Sequence, residues 1–226
     1  MTVGIIGAMD QEVAYLKDAM TIEEERVVAG QTFTKGILNG TSVVLLLSGI
    51  GKVNAAMSTT ILHEQFDIDY VINTGSAGGF EPTLDVGDIV VSEAVIHHDV
   101  DATAFDYVHG QVPGMPATYP ADTTLQEKAL NALVPLEVKG KAGIIGSGDS
   151  FMQDEDRISY VRHLFPELLA VEMEAAAVAQ VCYKYGTPFV VIRALSDIAG
   201  KESSVSFEDF LEKAAWNATK LIQEVI

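Results

Sequence analysis

Two carboxylates, Glu172 and Glu174, stand in the middle of the apolar run AVEMEAAAVAQV at 170–181. Desolvating a carboxylate costs on the order of several kcal/mol, so an acid kept in such a run needs a partner or a task. Two further acids sit in comparable places. Glu12 follows the apolar stretch TVGIIGA, in the first turn of a helix, and Asp197 closes the apolar stretch PFVVIRALSD. The poorly hydrated setting of Asp197 favours a carboxyl that holds its proton near neutral pH. Glu174 begins a helix, where the dipole favours the ionised form. Singly, each acid reads more readily as a cap or a solvated strand end than as a catalytic group. Acids at three different strand ends read together as a site, and a proton donor facing a proton acceptor is the arrangement that cleaves a glycosidic bond through an oxocarbenium-like state.

Other chemistries find less support. No stretch matches G-x-G-x-x-G or G-x-x-x-x-G-K-[ST], which argues against binding of NAD or ATP. The stretch NTGSAGG at 73–79 reads as a strand running into a glycine-rich turn, able to hold an anion or a ribose hydroxyl on backbone N–H groups, or simply as a tight strand–helix turn. In HHDVDA, His97, Asp99 and Asp101 fall on one side if the strand continues. That spacing is weakly specific for a metal, a polar strand end is the favoured reading, and no metal or cofactor is expected. No G-x-S-x-G elbow is present, so Ser76 and Ser147 are poor nucleophiles. Cys182 is the only cysteine, which excludes a disulfide framework and a cysteine zinc site.

These residues need a scaffold. Apolar strands alternate with helices: TVGIIGA, a helix from Asp10 to Met20, a hairpin turning at Asn39-Gly40, a helix over KVNAAMSTTILHEQF, then DYVINTGSA and GDIVVSEAVIHHDV. After a long loop at 99–119 come a helix near 122–132, strand KAGIIGS, helix DEDRISYVRHLF, strand LLAVEM, helix EAAAVAQVCYKY, strand PFVVIRALS and a last helix from about Ser206. The pattern predicts an α/β fold, a single domain over 1–226 with three layers, α-β-α, around a mixed central sheet. Ligands of such sheets gather beyond the strand ends. The 226 residues are 48% hydrophobic, enough for a sizeable core, and carry 32 acids against 14 Lys plus Arg, a net charge of −18. That balance argues against nucleic acid or an anionic membrane as a partner. No apolar run reaches ~18 residues, and the N-terminus lacks the basic region and cleavage site of a signal peptide. A cytoplasmic protein is expected.

The motifs GIIGAMDQEV, SGIGKVNAA, INTGSAGG, VGDIVVS, SGDSF, AVEMEAAAVA and FVVIRALSD occur in this order along nearly the whole chain. Together they resemble the 5′-methylthioadenosine/S-adenosylhomocysteine nucleosidases, a hydrolytic branch of the purine nucleoside phosphorylase superfamily. Leucine stands in ALSD where isoleucine often precedes the serine, a conservative change.

The resemblance implies hydrolysis of the N-glycosidic bond of 5′-methylthioadenosine, S-adenosylhomocysteine and 5′-deoxyadenosine, with water as co-substrate, in methionine salvage and the recycling of S-adenosylmethionine by-products. Asp197 would protonate N7 of adenine, Glu174 would accept hydrogen bonds from the ribose hydroxyls, and Glu12 would take a proton from the attacking water. Ser76 and Arg193 would help place that water, with Arg193 also neutralising part of the acid cluster. Phe151 would stack on adenine and the main chain of Phe151 and Met152 would bind its edge. Gly78, Ala8 and Ser196 would lie in the site, Met173 against the ribose, and Met9, Ile50 and Phe207 around the 5′-thio group. Glu172 is assigned either to substrate or to orienting its neighbours. The loop at 99–119, with Phe105, Tyr107, Val112, Pro113, Met115 and Tyr119, would belong to a homodimer interface and lend Phe105 to the partner's pocket. Within the motif segments only Lys52 and Arg193 are basic, which favours water over phosphate. The alternatives are a phosphorolytic purine nucleoside phosphorylase and a non-catalytic adenosine-binding sensor on the same fold.

Overall fold

The computed structural model describes residues 1–81, 83–199 and 203–226, with side chains in the last stretch described from residue 210. In chain order the elements are β1 (Thr2–Gly7), α1 (Asp10–Ala19), β2 (Thr21–Val28), β3 (Gln31–Leu38), β4 (Thr41–Leu47), α2 (Lys52–Gln65), β5 (Tyr70–Gly79) and β6 (Ile89–His97). A loop with a 3-10 turn at Thr103–Phe105 leads to β7 (Tyr119–Pro120), α3 (Thr123–Leu136), β8 (Gly140–Ser147), α4 (Glu155–Leu164), β9 (Leu168–Glu172), α5 (Ala175–Tyr185), β10 (Phe189–Ile198) and α6 (Ser203–Val225). Among the described residues no helix is long and apolar enough to cross a membrane.

The near-continuous apolar runs form central strands, as burial on both faces requires. Alternate residues of β1 supply two cores. Val3 and Ile5 join Val13 and Leu16 of α1, Leu125 and Leu133 of α3, and Leu221 of α6. Ile6 joins Ala55 and Leu62 of α2 and Ala175 and Val178 of α5. A third cluster lies under α4, around Ile158, Val161 and Phe165. The result is the expected layered α/β domain with a mixed sheet. Asn39 and Gly40 take φ of 49° and 80°, closing the β3–β4 hairpin as their types predict.

Three features depart from the sequence reading. First, β2, TIEEERVV, pairs antiparallel with β3 as an edge strand. Its run of exposed charges hides it from a periodicity argument, and the same charges protect an unpaired edge. Second, NTGSAGG is no strand–helix turn, because β5 continues through Gly79. It is held there on both sides, by β10 up to the Ile198–Gly79 pair and by β9 at Gly78–Val171. Third, β10 pairs with both β5 and β6. Strands β5, β10, β6, β8 and β9 therefore close on one another, with β1, β4, β3 and β2 extending from β5 as an open wing.

Helix α5 buries Ala175, Ala176, Ala177 and Ala179 against this closed part and α2. Small side chains permit that approach. Ala179→Leu forces four-carbon bulk into a site with no exposure, and the expected cost is ~1–3 kcal/mol. Thermal melting reads this as a fall of roughly 2–4 °C per kcal/mol for a chain of this size. An unchanged melting temperature would mean that the helix has room to spare.

Candidate active site

The ends of β1, β4, β5, β9 and β10 surround a cleft of about 380 Å³. Its walls are Ala8, Met9, Ile50, Ala77, Gly78, Phe151, Val171 and Met173, with Ser76 and Ser196, and its acids are Glu12, Glu172, Glu174 and Asp197. Met152 lies just beyond, buried against a smaller hollow shared with Gly78, Phe151 and Asp197. Four acids from α1, the β9–α5 junction and β10 thus converge, as the strand-end argument requires.

Each acid is held differently. Glu12 sits in the first turn of α1 and reaches back over the β1–α1 turn. One of its oxygens accepts from Ala8 N (2.9 Å) and Met9 N (3.2 Å), the other from Ser76 N (2.8 Å) and Ser76 Oγ (2.9 Å). This clamp requires bare backbone at Gly75. With φ of 152°, a Cβ there would fall 2.6 Å from Glu12 Oε1 and 2.9 Å from Arg193 Nη1. Asp197 is buried in β10 and accepts from Ser196 Oγ at 2.9 Å.

Glu172 ends β9 and accepts from Arg193 Nη2 at 2.5 Å, from the Ser147 hydroxyl, and from the N–H groups of Glu174 (3.0 Å) and Ala175 (2.9 Å). Burial alone would push its carboxyl up, but Arg193 and these donors outweigh burial and hold it below the ordinary range. Arg193 itself is 2% exposed, donates to Asn73 Oδ1 at 2.7 Å, and lies behind the cleft wall rather than in it. Ser147 is fully buried, its oxygen also accepting from Ala176 N at 2.8 Å.

Glu174 departs from expectation. It occupies the N-cap position of α5, but its carboxylate does not cap that helix. It crosses to α2, where Oε1 accepts from Gly51 N at 2.7 Å. Burial first, and the charge of Glu172 second, push its pKa up to about 8, against the weaker pull of Arg193 and Gly51. The helix dipole does not decide its charge.

The remaining sequence candidates separate. Phe105 is 76% exposed and stands outside this cleft. The side chain of Phe207 lies outside the described residues. The run HHDVDA forms no ligand set, since β6 ends at His97. His97 bonds Gln180, Asp99 pairs with Lys52, and Asp101 accepts from Thr103. Among the described residues no group of three His, Cys, Asp or Glu could hold a metal ion. The sequence reading passed over Ala77 and Val171, which line the cleft, and Asn73, which holds Arg193. Their positions inside strands of the motif segments were visible, but nothing in an apolar or amide side chain marks a wall.

The raised pKa of Glu174 has a consequence for stability. The folded state binds its proton more tightly than the unfolded chain, whose value is about 4.5. The resulting stabilisation is complete below 4.5 and is lost as pH rises through about 8. The melting temperature of the wild type relative to Glu174→Gln should therefore fall between pH 5 and pH 8. A constant difference would contradict the raised pKa.

A sequence profile of the phosphorylase superfamily matches residues 2–226. A 5′-methylthioadenosine/S-adenosylhomocysteine nucleosidase of Oceanobacillus iheyensis is 62% identical over 226 residues, covering 100% of this chain and 99% of the relative. The crystal structure of a nucleosidase of the same name from Colwellia psychrerythraea, in complex with adenine, superposes with a TM-score of 0.97 at 51% identity, covering 100% of this chain and 94% of that one. The corresponding enzyme of Neisseria meningitidis, in complex with methylthio-immucillin-A, gives 0.97 at 46% identity over 99% and 97% of the two chains. This chain belongs to the phosphorylase superfamily, in its branch of 5′-methylthioadenosine/S-adenosylhomocysteine nucleosidases.

Proposed function

We propose that this protein hydrolyses the N-glycosidic bond of 5′-methylthioadenosine and S-adenosylhomocysteine, and of 5′-deoxyadenosine, releasing adenine and the 5-thioribose or deoxyribose product in methionine salvage. The observation that carries this reading is the meeting of Glu12, Glu174 and Asp197 in one largely apolar cleft. The names of the relatives, and the adenine and nucleoside analogue held by similar structures, support the substrate class.

Asp197 protonates N7, so that adenine departs neutral. Ionised Glu174 accepts the ribose hydroxyls and faces the cation that grows at C1′. The developing positive charge favours the ionised form that burial and the charge of Glu172 disfavour. Glu12 takes a proton from the attacking water, and the Ser76 hydroxyl beside it orients that water. Phe151 stacks on the base and Met173 packs on the sugar. Met9 and Ile50 receive the 5′ substituent. Glu172, at the cleft wall, fixes the start of α5, and Arg193 behind it offsets the charge of the acids.

Phosphorolysis fits this cleft poorly. A phosphate dianion needs cations, and among the described residues no lysine or arginine lines the cleft. Lys52 is taken by Asp99 and Arg193 by Glu172. The acids repel phosphate. The test is adenine release from methylthioadenosine with and without phosphate. Asp197→Asn should lower turnover roughly 10²–10⁴-fold while still binding nucleoside. Glu12→Gln should block hydrolysis without rescue by phosphate. Formation of a sugar 1-phosphate by either protein would overturn the hydrolase reading, and near-wild-type turnover by Asp197→Asn would remove its role.

A homodimer and a cytoplasmic location complete the reading. The single thiol, Cys182, is buried and free, as a reducing compartment permits. Of the loop residues expected at an interface, Met115 and Tyr119 are buried in their own subunit. Phe105 and Val108 are exposed, as are Ile50, Val53 and Met57 at the start of α2. The Lys52–Asp99 pair joins the loop to the start of α2, and exposed apolar side chains on both segments support an interaction surface. Sedimentation should find a dimer at micromolar concentration. Phe105→Ala should weaken thio-substituted nucleosides by ~1–3 kcal/mol and leave adenine binding unchanged. An active monomer would refute the shared pocket.

A further inference from the structure

Three segments distant in sequence meet beside the cleft in a closed ring of hydrogen bonds. Lys52 N donates to Asp149 Oδ1 at 2.8 Å, Asp149 N donates to Asp99 Oδ2 at 3.0 Å, and Lys52 Nζ donates to Asp99 Oδ1 at 2.5 Å. None of the three lines the cleft. The residue before Lys52, however, is Gly51, whose N–H meets Glu174. The residues after Asp149 are Ser150 and Phe151, the latter a wall of the cleft.

The ring supplies what the local sequence of α2 lacks. Its N-cap is Gly51, with φ of 92° and no side chain, and its first turn holds no acid. Exposed helix N–H groups need acceptors. Asp149 accepts from Lys52 N and Glu174 from Gly51 N, so two carboxylates from other segments cap this helix. The Lys52 and Asp99 side chains are only 17% and 29% exposed, so their pairing is less screened than a surface ion pair. Burial would raise the Asp99 carboxyl, but Lys52 and Asp149 N–H outweigh it and keep it ionised.

We propose that Asp149, braced by Lys52 and Asp99, is a positioning residue for Glu174: the ring fixes the 49–52 turn so that the Gly51 N–H stays on the sugar-binding carboxylate. The proposal rests on the assignment of Glu174 to the ribose. Glu174 also faces Glu172, Arg193 and Glu12, and shares the cleft with Asp197. Gly51 N–H is the one donor to its carboxylate among the described hydrogen bonds, so its loss favours the neutral acid.

The test uses methylthio-immucillin-A as a probe whose binding can be measured without turnover, together with kcat/KM for methylthioadenosine across pH. Asp149→Ala and Lys52→Met should each weaken the analogue and lower kcat/KM, Asp149→Ala by roughly 10- to 10²-fold, the usual cost of a misplaced group. The limb of the pH profile that reports Glu174 should move to higher pH. Asp149→Asn, whose amide oxygen still accepts from Lys52 N, and Lys52→Arg should restore most of the loss. In a Glu174→Gln background, Asp149→Ala should cost little more, because the two act through one contact. Wild-type affinity and pH profile in Asp149→Ala and Lys52→Met, whatever their melting temperatures, would overturn the proposal. So would additive losses in the double variant. Failure of the wild type to release adenine would instead strike at the proposed function.

Discussion

Arg193 is a guanidinium with 2% exposure among Glu12, Glu172 and Glu174, and the arrangement depends on that one cation. It donates to Glu172 at the end of β9 and to Asn73 in β5, while Glu172 gathers the Ser147 hydroxyl from the end of β8. One charge therefore ties together β10, β5, β9 and β8, four of the five strands that close on each other. A buried pair of this kind adds little net stability against an apolar alternative, but removal of one partner leaves the other charge uncompensated, at about 3–5 kcal/mol. The closed part of the sheet and the acid cluster thus share one cation.

The same cation also separates two glutamates two positions apart. Glu172 receives the arginine and the hydroxyl, together with two N–H groups at the start of α5, and stays ionised. Glu174, buried beside that negative charge with one backbone donor, is pushed up to about 8. Two identical side chains take different states because their environments differ, the usual way one site holds both charged and neutral carboxyls. Both line the cleft, but the charged member organises the start of the helix while the other reaches across to Gly51.

The same distribution of charge bears on the reaction. Among the described residues, Lys52 and Arg193 are withdrawn into pairs, Lys52 with Asp99 and Arg193 with Glu172. The cleft keeps negative groups and apolar walls, a setting that stabilises a sugar cation and repels an anionic nucleophile. The clamp on Glu12 by Ala8, Met9 and Ser76 fixes the acid that would activate water. Gly75 makes that clamp possible, since any Cβ would strike both Glu12 and Arg193.

The sequence by itself determined the class of fold and the identity of the principal acids. Burial on both faces demands apolar strands, and a charge inside an apolar run is conspicuous, so Glu12, Glu172, Glu174 and Asp197 could be read directly. The Asn39-Gly40 turn was equally legible, because few residue pairs tolerate two positive φ values. Strand β2 was not, because an edge strand is charged where a central strand is apolar. Tertiary structure alone decided that β10 closes onto both β5 and β6, that NTGSAGG is strand, and that Glu174 turns away from its own helix toward Gly51. It also drew Lys52, Asp99 and Asp149 into one ring. Each of these depends on partners tens of residues away. Local propensity and periodicity report a residue's own backbone and burial, whereas a carboxylate's charge state is set by whichever donors and charges the fold brings against it.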